Sequence, residues 1–155
     1  MKIELWVISD TNENYLKEGI SIFEKRLKRY APFQIQTFQS PKKIKDPVDL
    51  KRLESELILS KLITGDRLIL LDERGKEFKS RDYAQWLQKQ MNMGPKRLIF
   101  VVGGAYGFSD AIKSKADGML SLSKMTFSHQ MIRLFFVEQL YRAFTILNNE
   151  PYHND

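Results

Sequence analysis

The run Leu98-Ile99-Phe100-Val101-Val102 ends abruptly in Gly103-Gly104-Ala105-Tyr106-Gly107, and that junction decides the fold. Consecutive aliphatic and aromatic residues read as a strand buried on both faces, and the glycines read as a loop whose backbone can approach a neighbour closely. Downstream, Ser109 is placed to cap a short helix, Met119-Leu120-Ser121-Leu122 reads as a further strand, and residues 123–129 form a second loop. Two loops thus leave neighbouring strand ends. In an α/β sheet that is where a small ligand binds, because main-chain groups freed at strand ends can read it.

The rest of the chain repeats the same alternation. Met1 to Ile8 is a strand-length apolar run, and residues 12–30 carry Leu16, Ile20, Phe23 and Leu27 on one helical face. Phe33, Ile35 and Thr37 alternate as a short strand, residues 41–45 form a lysine-rich loop, and Asp46-Pro47 opens a helix continued by Leu50, Leu53 and Leu57. Arg67 to Asp72 is another continuous strand, with Glu73-Arg74-Gly75-Lys76 as its exit loop. Ser80 is expected to cap a helix bearing Tyr83, Leu87 and Met91. The expectation is an α/β domain with a mostly parallel sheet flanked by helices, one domain over residues 1–155.

The last helix, residues 129–148, has apolar residues over more than one stripe, from Ile132 to Leu147. Either it is buried deep in the domain or a second face meets another subunit; a terminal helix in a small domain favours the subunit.

Composition narrows the function. There is no cysteine and only two histidines, His129 and His153, which speaks against disulfides, thiolate metal sites and zinc, so no metal is expected. Met1 to Ile8 lacks the basic leader and cleavage site of a signal peptide, and no run approaches membrane-spanning length, so a soluble cytoplasmic chain with no membrane partner is expected. The 25 Lys and Arg against 19 Asp and Glu give a formal charge of +6, compatible with RNA or with a merely basic surface. Clustering at Lys25-Arg26-Leu27-Lys28-Arg29 and at Lys42, Lys43 and Lys45 favours phosphate contacts.

The glycine loop alone is weak evidence: it is neither the G-x-G-x-x-G dinucleotide fingerprint nor a P-loop. Taken with Leu71-Asp72, Leu122-Ser123-Lys124-Met125-Thr126-Phe127, His129, Arg133, Glu138-Gln139-Leu140-Tyr141-Arg142-Ala143 and Pro151-Tyr152-His153, however, it resembles the SPOUT methyltransferases over the full length. The likeness is to their small bacterial members that methylate N3 of a pseudouridine in the helix 69 loop of 23S ribosomal RNA. One departure is Ser128, where proline is common in the family.

The resemblance implies an α/β knot, with the C-terminal segment threaded as a trefoil, and a homodimer acting on 23S rRNA as free RNA, within the large subunit or in the assembled ribosome. It implies S-adenosyl-L-methionine as cosubstrate, held by Leu71, Gly103, Leu122, Ser123, Lys124, Met125, Thr126 and Phe127. His129 and Arg133 are expected on the substrate side, and Arg142, Tyr152 and His153 at the chemistry.

An imide N3 is protonated at neutral pH, so a base, or donors to the flanking carbonyl oxygens, must assist the transfer. His153 suits the base by its ordinary pKa, about 6.5, and a plain tail histidine is the other reading. Arg142 can bind phosphate or an imide oxygen, or pair with Glu138 at i,i+4 spacing. His129 can orient the helix start instead of touching substrate. Two rivals stand beside the enzyme: a non-catalytic RNA-binding protein of the same fold, and an α/β nucleotide-binding enzyme acting on small molecules.

Overall fold

The computed structural model describes residues 1–41 and 43–155, so of the expected basic loop Lys42 lies outside the described residues. Five strands, β1 Lys2–Ile8, β2 Phe33–Phe38, β3 Asp66–Lys76, β4 Arg97–Val102 and β5 Gly118–Leu120, form one sheet in the order β2-β1-β4-β3-β5. Every pairing is parallel. The helices are α1 Asn14–Leu27, α2 Pro47–Ser60, α3 Ser80–Asn92, α4 Asp110–Lys115 and α5 Met131–Leu147.

Handedness dictates which face each helix covers. The steps β1 to β2 and β3 to β4 run one way across the sheet, whereas β2 to β3 and β4 to β5 run the other. Right-handed crossovers require opposite steps to pass over opposite faces. Accordingly α1 and α3 cover the face carrying Ile3, Leu5, Leu98 and Phe100, and α2 and α4 cover the face carrying Trp6, Leu68, Leu70 and Val101. The central strands alternate side chains between two apolar layers, which is why β3 and β4 read as apolar runs and β1 does so but for Glu4, whereas the edge strand β2 alternates.

Helix α5 has no crossover to make and fills the channel between α1 and α3, packing against both. Phe136, Val137, Leu140, Tyr141, Ala143 and Phe144 are buried there. The apolar breadth that favoured a subunit interface in the sequence is therefore mostly used inside the chain, as the deep-burial alternative required. Phe135, 39% exposed, is the large apolar exception on this helix.

Local signals hold where side chains make the bond. Asp46 Oδ1 accepts from the Val48 N–H at 3.1 Å, and Ser109 Oγ accepts from Ile112 N–H at 3.4 Å, both as capping residues. Ser80 does not cap α3: Lys79 holds that position with no side-chain bond. Strand β5 stops at Leu120, short of the expected Leu122. The segment 73–76 is strand rather than exit loop, because a bulge lets both Leu71 and Lys76 pair with Leu120.

Gly75 makes that bulge possible, since a Cβ there would lie 2.7 Å from the Met119 carbonyl carbon and 2.8 Å from the Leu120 nitrogen. Backbone cannot yield as a flexible side chain can. We expect Gly75→Ala to destabilise the fold by about 2 kcal/mol, within the cost of overpacking. Urea unfolding measures it, and a midpoint equal to wild type would show that β3 and β5 do not pack this closely.

Candidate functional site

Leu71 pairs in register with Val102 on one side and with Leu120 on the other, so three chain segments reach the carboxyl edge of the sheet side by side. Beyond this row lies a cavity of about 490 Å³, walled by residues 71–74, 102–108 and parts of 120–132. That volume lies in the range of sites for small organic ligands. Its position follows from the topology, because parallel strands all deliver their following loops to one edge.

The glycine loop forms one wall. Gly104 and Gly107 pair as an isolated antiparallel bridge, and Gly107 adopts φ +80°, a conformation that side chains resist. Space is also limiting: a Cβ at Gly103 would meet the Phe108 ring at 3.2 Å, and one at Gly104 would stand 2.5 Å from Glu54 Oε1. Facing it, the loop after β5 is tied down at several points. Ser121 N–H donates to Lys76 O at 2.9 Å, Met125 N–H to Ser123 Oγ at 3.0 Å, and the Thr126 hydroxyl to Glu73. Ser128 Oγ accepts from Met131 N–H at 3.0 Å, a start to α5 that no proline at this position could supply.

Asp72 contributes a carboxylate to the cavity wall, next to Glu73. Burial pushes its carboxyl up, but hydrogen bonds from the Arg74 guanidinium and the Arg74 N–H outweigh this and hold it below the usual range. It is therefore a fixed negative charge at neutral pH. Arg74, 67% exposed, leaves its cationic head at the mouth.

Of the residues expected to hold a ligand, Leu71, Gly103, Leu122, Ser123, Met125, Thr126 and Phe127 converge on this cavity, together with His129. Lys124 does not: its side chain is 88% exposed and lies 4.0 Å from Glu77. Burial, then the neighbouring Arg133 charge, lower the His129 pKa from its usual 6.5, so its imidazole is neutral at pH 7.

Arg133, expected on the substrate side, does not line this cavity. It is 1% exposed, and its guanidinium donates to the main-chain oxygens of Ile8 at 2.7 Å, Ser9 at 2.9 Å and His129 at 2.9 Å, and to Thr11 Oγ1 at 3.0 Å. Burial lowers its pKa to about 10, which still leaves it charged at neutral pH. It joins the start of α5 to the end of β1.

Arg142, Tyr152 and His153 do come together, but away from this cavity. Arg142 lies ten residues beyond Ile132, about 15 Å along the helix axis from the cavity wall. Glu138 organises the cluster, accepting from Arg142 Nη2 at 2.7 Å and from the Tyr152 hydroxyl at 3.0 Å. Tyr152 also packs edge-on against Tyr141 and beneath the Arg142 guanidinium.

His153 is held from both sides. Arginine can only donate, so His153 Nδ1 accepts from Arg142 Nη1 at 3.1 Å, and the Nε2–H is left to donate to Asp155 Oδ1 at 2.9 Å. The lone pair a base would use is thus engaged by Arg142. The tail itself is anchored, by Tyr30 to Glu150 at 2.8 Å and by Arg81 to Asp155 at 2.8 Å.

The sequence reading missed Glu54, a buried carboxyl of α2 against the glycine loop. In Leu53-Glu54-Ser55-Glu56-Leu57 the two glutamates look alike and neither carries a sign of burial, yet the fully buried residues of α2 are Glu54, Ser55 and Ile58, with Leu57 and Leu59 only partly buried beside them.

Comparison with known proteins accords with this geometry. A family profile described as "Predicted SPOUT methyltransferase" matches residues 1–153. Proteins named ribosomal RNA large subunit methyltransferase H are similar over their whole length. The one from Cytophaga hutchinsonii is 52% identical over 99% of this chain and 100% of its own. That from Parabacteroides distasonis is 53% identical over 100% of both, and that from Flavobacterium johnsoniae 53% identical over 99% of both.

The two roles of Arg133 separate experimentally. As a buried tie, Arg133→Met orphans several acceptors and should cost about 2–4 kcal/mol of stability in denaturant unfolding. The His129 titration followed by NMR should start below 6.5 and move upward in the same variant. Unchanged stability with lost substrate affinity would restore Arg133 to the substrate side.

Proposed function

The chain belongs to the SPOUT methyltransferase family, and on that premise we propose that it transfers a methyl group from S-adenosylmethionine to N3 of a pseudouridine in the helix 69 loop of 23S ribosomal RNA. It does so as a homodimer in the cytoplasm, with the family's C-terminal knot. The observation that carries this reading is the meeting, around one cavity, of the three segments whose motifs match the family: Leu71-Asp72, the Gly103 loop, and residues 122–127.

The cavity fits the methyl donor. Leu71, Val102, Leu120 and Leu122 offer flat apolar walls for adenine, and the glycine loop brings main chain where a Cβ would clash. Asp72, an anionic wall residue paired with Arg74, and Glu73 beside it suit a ligand that carries positive charge. Bound there, S-adenosylmethionine supplies a methyl group made electrophilic by its sulfonium. Residues 122–127 and His129, neutral and at the wall, then hold donor and nucleoside in register, which is the main demand of an in-line transfer.

Two needs remain, a partner for the imide proton and donors for its carbonyl oxygens, and both are met by the tail cluster. Arg142 stabilises charge developing on an imide oxygen. As Arg142 turns from His153 Nδ1 toward substrate, it frees the lone pair with which His153 takes the proton. The separation of this cluster from the cavity of its own chain supports a site shared between protomers, each tail facing its partner's cavity. Exposed Tyr15 and Ile22 on α1, and Phe135 on α5 against Phe127, offer apolar surface for that contact. Exposed Lys25, Arg26, Lys28 and Arg29 lie on the tail side, where Arg26 packs over Tyr141, and suit the RNA phosphates.

Mass spectrometry of 23S rRNA from cells with and without this protein tests the reaction. Loss of one methyl group in the helix 69 fragment is expected, and an unchanged fragment contradicts the proposal.

Complementation tests the shared site. A Gly103→Leu subunit lacks a cavity and a subunit ending at residue 151 lacks a tail, so each homodimer should be inactive. Mixed dimers of a shared site would carry one intact centre, and after random exchange the mixture should recover about a quarter of wild-type activity. No recovery from exchanged subunits would place cavity and tail in the same chain's site.

A further inference from the structure

Glu54 is 5% exposed, and none of the chemistry above uses it. Ser40 Oγ donates to its Oε2 at 2.6 Å, whereas Oε1 has no hydrogen-bond partner among the described residues. An orphaned buried acceptor forfeits its hydration with nothing in return, so its retention calls for a reason. Burial pushes the carboxyl above its usual range, and the Ser40 hydroxyl pulls it partly back.

The reason lies in what the carboxyl touches. A Cβ on Gly104 would meet Oε1 at 2.5 Å and Oε2 at 2.9 Å, so the carboxyl rests directly against the main chain of the glycine loop. Gly103, Gly104 and Gly107 line the large cavity on one side, and on the other a void of about 10 Å³ that Glu54 and Ser55 help to close. That void is at the lower limit for a single water. The loop is therefore a thin partition with a carboxyl behind it, and Ser55 already accepts from Ser109 N–H at 3.1 Å.

We propose that Glu54 is a positioning residue for the methyl-donor site: clamped by Ser40, its carboxyl backs the glycine loop and fixes the main chain of residues 103–104 at the cavity wall. Oε1 is the acceptor for loop N–H groups as the loop settles on a ligand, so Glu54 acts through the loop without touching the ligand. Gly104 is glycine because the carboxyl occupies the space a side chain would need.

The inference rests on the cavity being the S-adenosylmethionine site, and the test keeps the two apart. Calorimetry measures S-adenosylmethionine binding, and hydrogen exchange of the loop amides is followed in the ligand-free protein, for wild type, Glu54→Leu, Glu54→Gln and Ser40→Ala. Glu54→Leu should weaken binding about tenfold, the equivalent of one hydrogen bond, and speed exchange at residues 103–107 with little change elsewhere. Glu54→Gln keeps an acceptor at Oε1 and a donor toward Ser40, and should restore both readouts. Ser40→Ala should give an intermediate loss, which decides the matter if the Leu variant does not fold. Wild-type binding and exchange in both Glu54→Leu and Ser40→Ala, or a Gln variant as impaired as Leu, would overturn the inference. A wild type that does not bind S-adenosylmethionine would contradict the proposed donor site instead, and the exchange data would still decide whether Glu54 holds the loop.

Discussion

The Arg133 guanidinium, sealed between the end of β1 and the start of α5, is the interaction on which the rest of the structure depends. It satisfies main-chain acceptors of Ile8, Ser9 and His129 at once, joining residues more than 120 positions apart in the chain. Ser9 turns there with φ +66°, a conformation a serine does not adopt freely. A buried cation is tolerable only because its donors are filled. Once fixed, this tie sets where α5 begins, and thereby where His129 and Ile132 meet the cavity and where Arg142 and Glu138 present the tail.

The site is built from backbone more than from side chains. Parallel strands in register bring three loops to one edge; glycines let one loop lie against a buried carboxyl, and hydrogen bonds to Lys76, Ser123 and Glu73 hold the opposite loop. Arg142, Tyr152 and His153 lie elsewhere, at the far end of α5 and in the tail, already committed to one another and to Glu138. On the proposed function, binding and proton chemistry are divided between these two places in one chain, a division that a homodimer would close.

The strands and helices were legible because the central strands are largely apolar runs, because β2 alternates, and because Asp46 and Ser109 make the caps their types suggest. The glycine loop and the residues facing it were legible as a group. The extension of β3 through residues 73–76 was not, since charged residues and a glycine look like a loop unless the Leu120 backbone is known to lie alongside. Arg133 reads as a polar site residue, and only the fold reveals the carbonyls around it. The width of α5 had two readings, and topology chose between them by placing the helix between α1 and α3. Glu54 was invisible for the converse reason: its partners, Ser40 and the main chain at Gly104, are brought to it by tertiary packing alone.

Whether the strand-end cavity is the methyl-donor site is decided by NMR of the ¹⁵N-labelled protein titrated with S-adenosylmethionine. Amide shifts should concentrate at residues 71–74, 102–108 and 120–129, with the opposite edge of the sheet, at Lys2, Phe33 and Arg97, unmoved. Saturable binding that leaves those three loops unshifted would contradict that assignment.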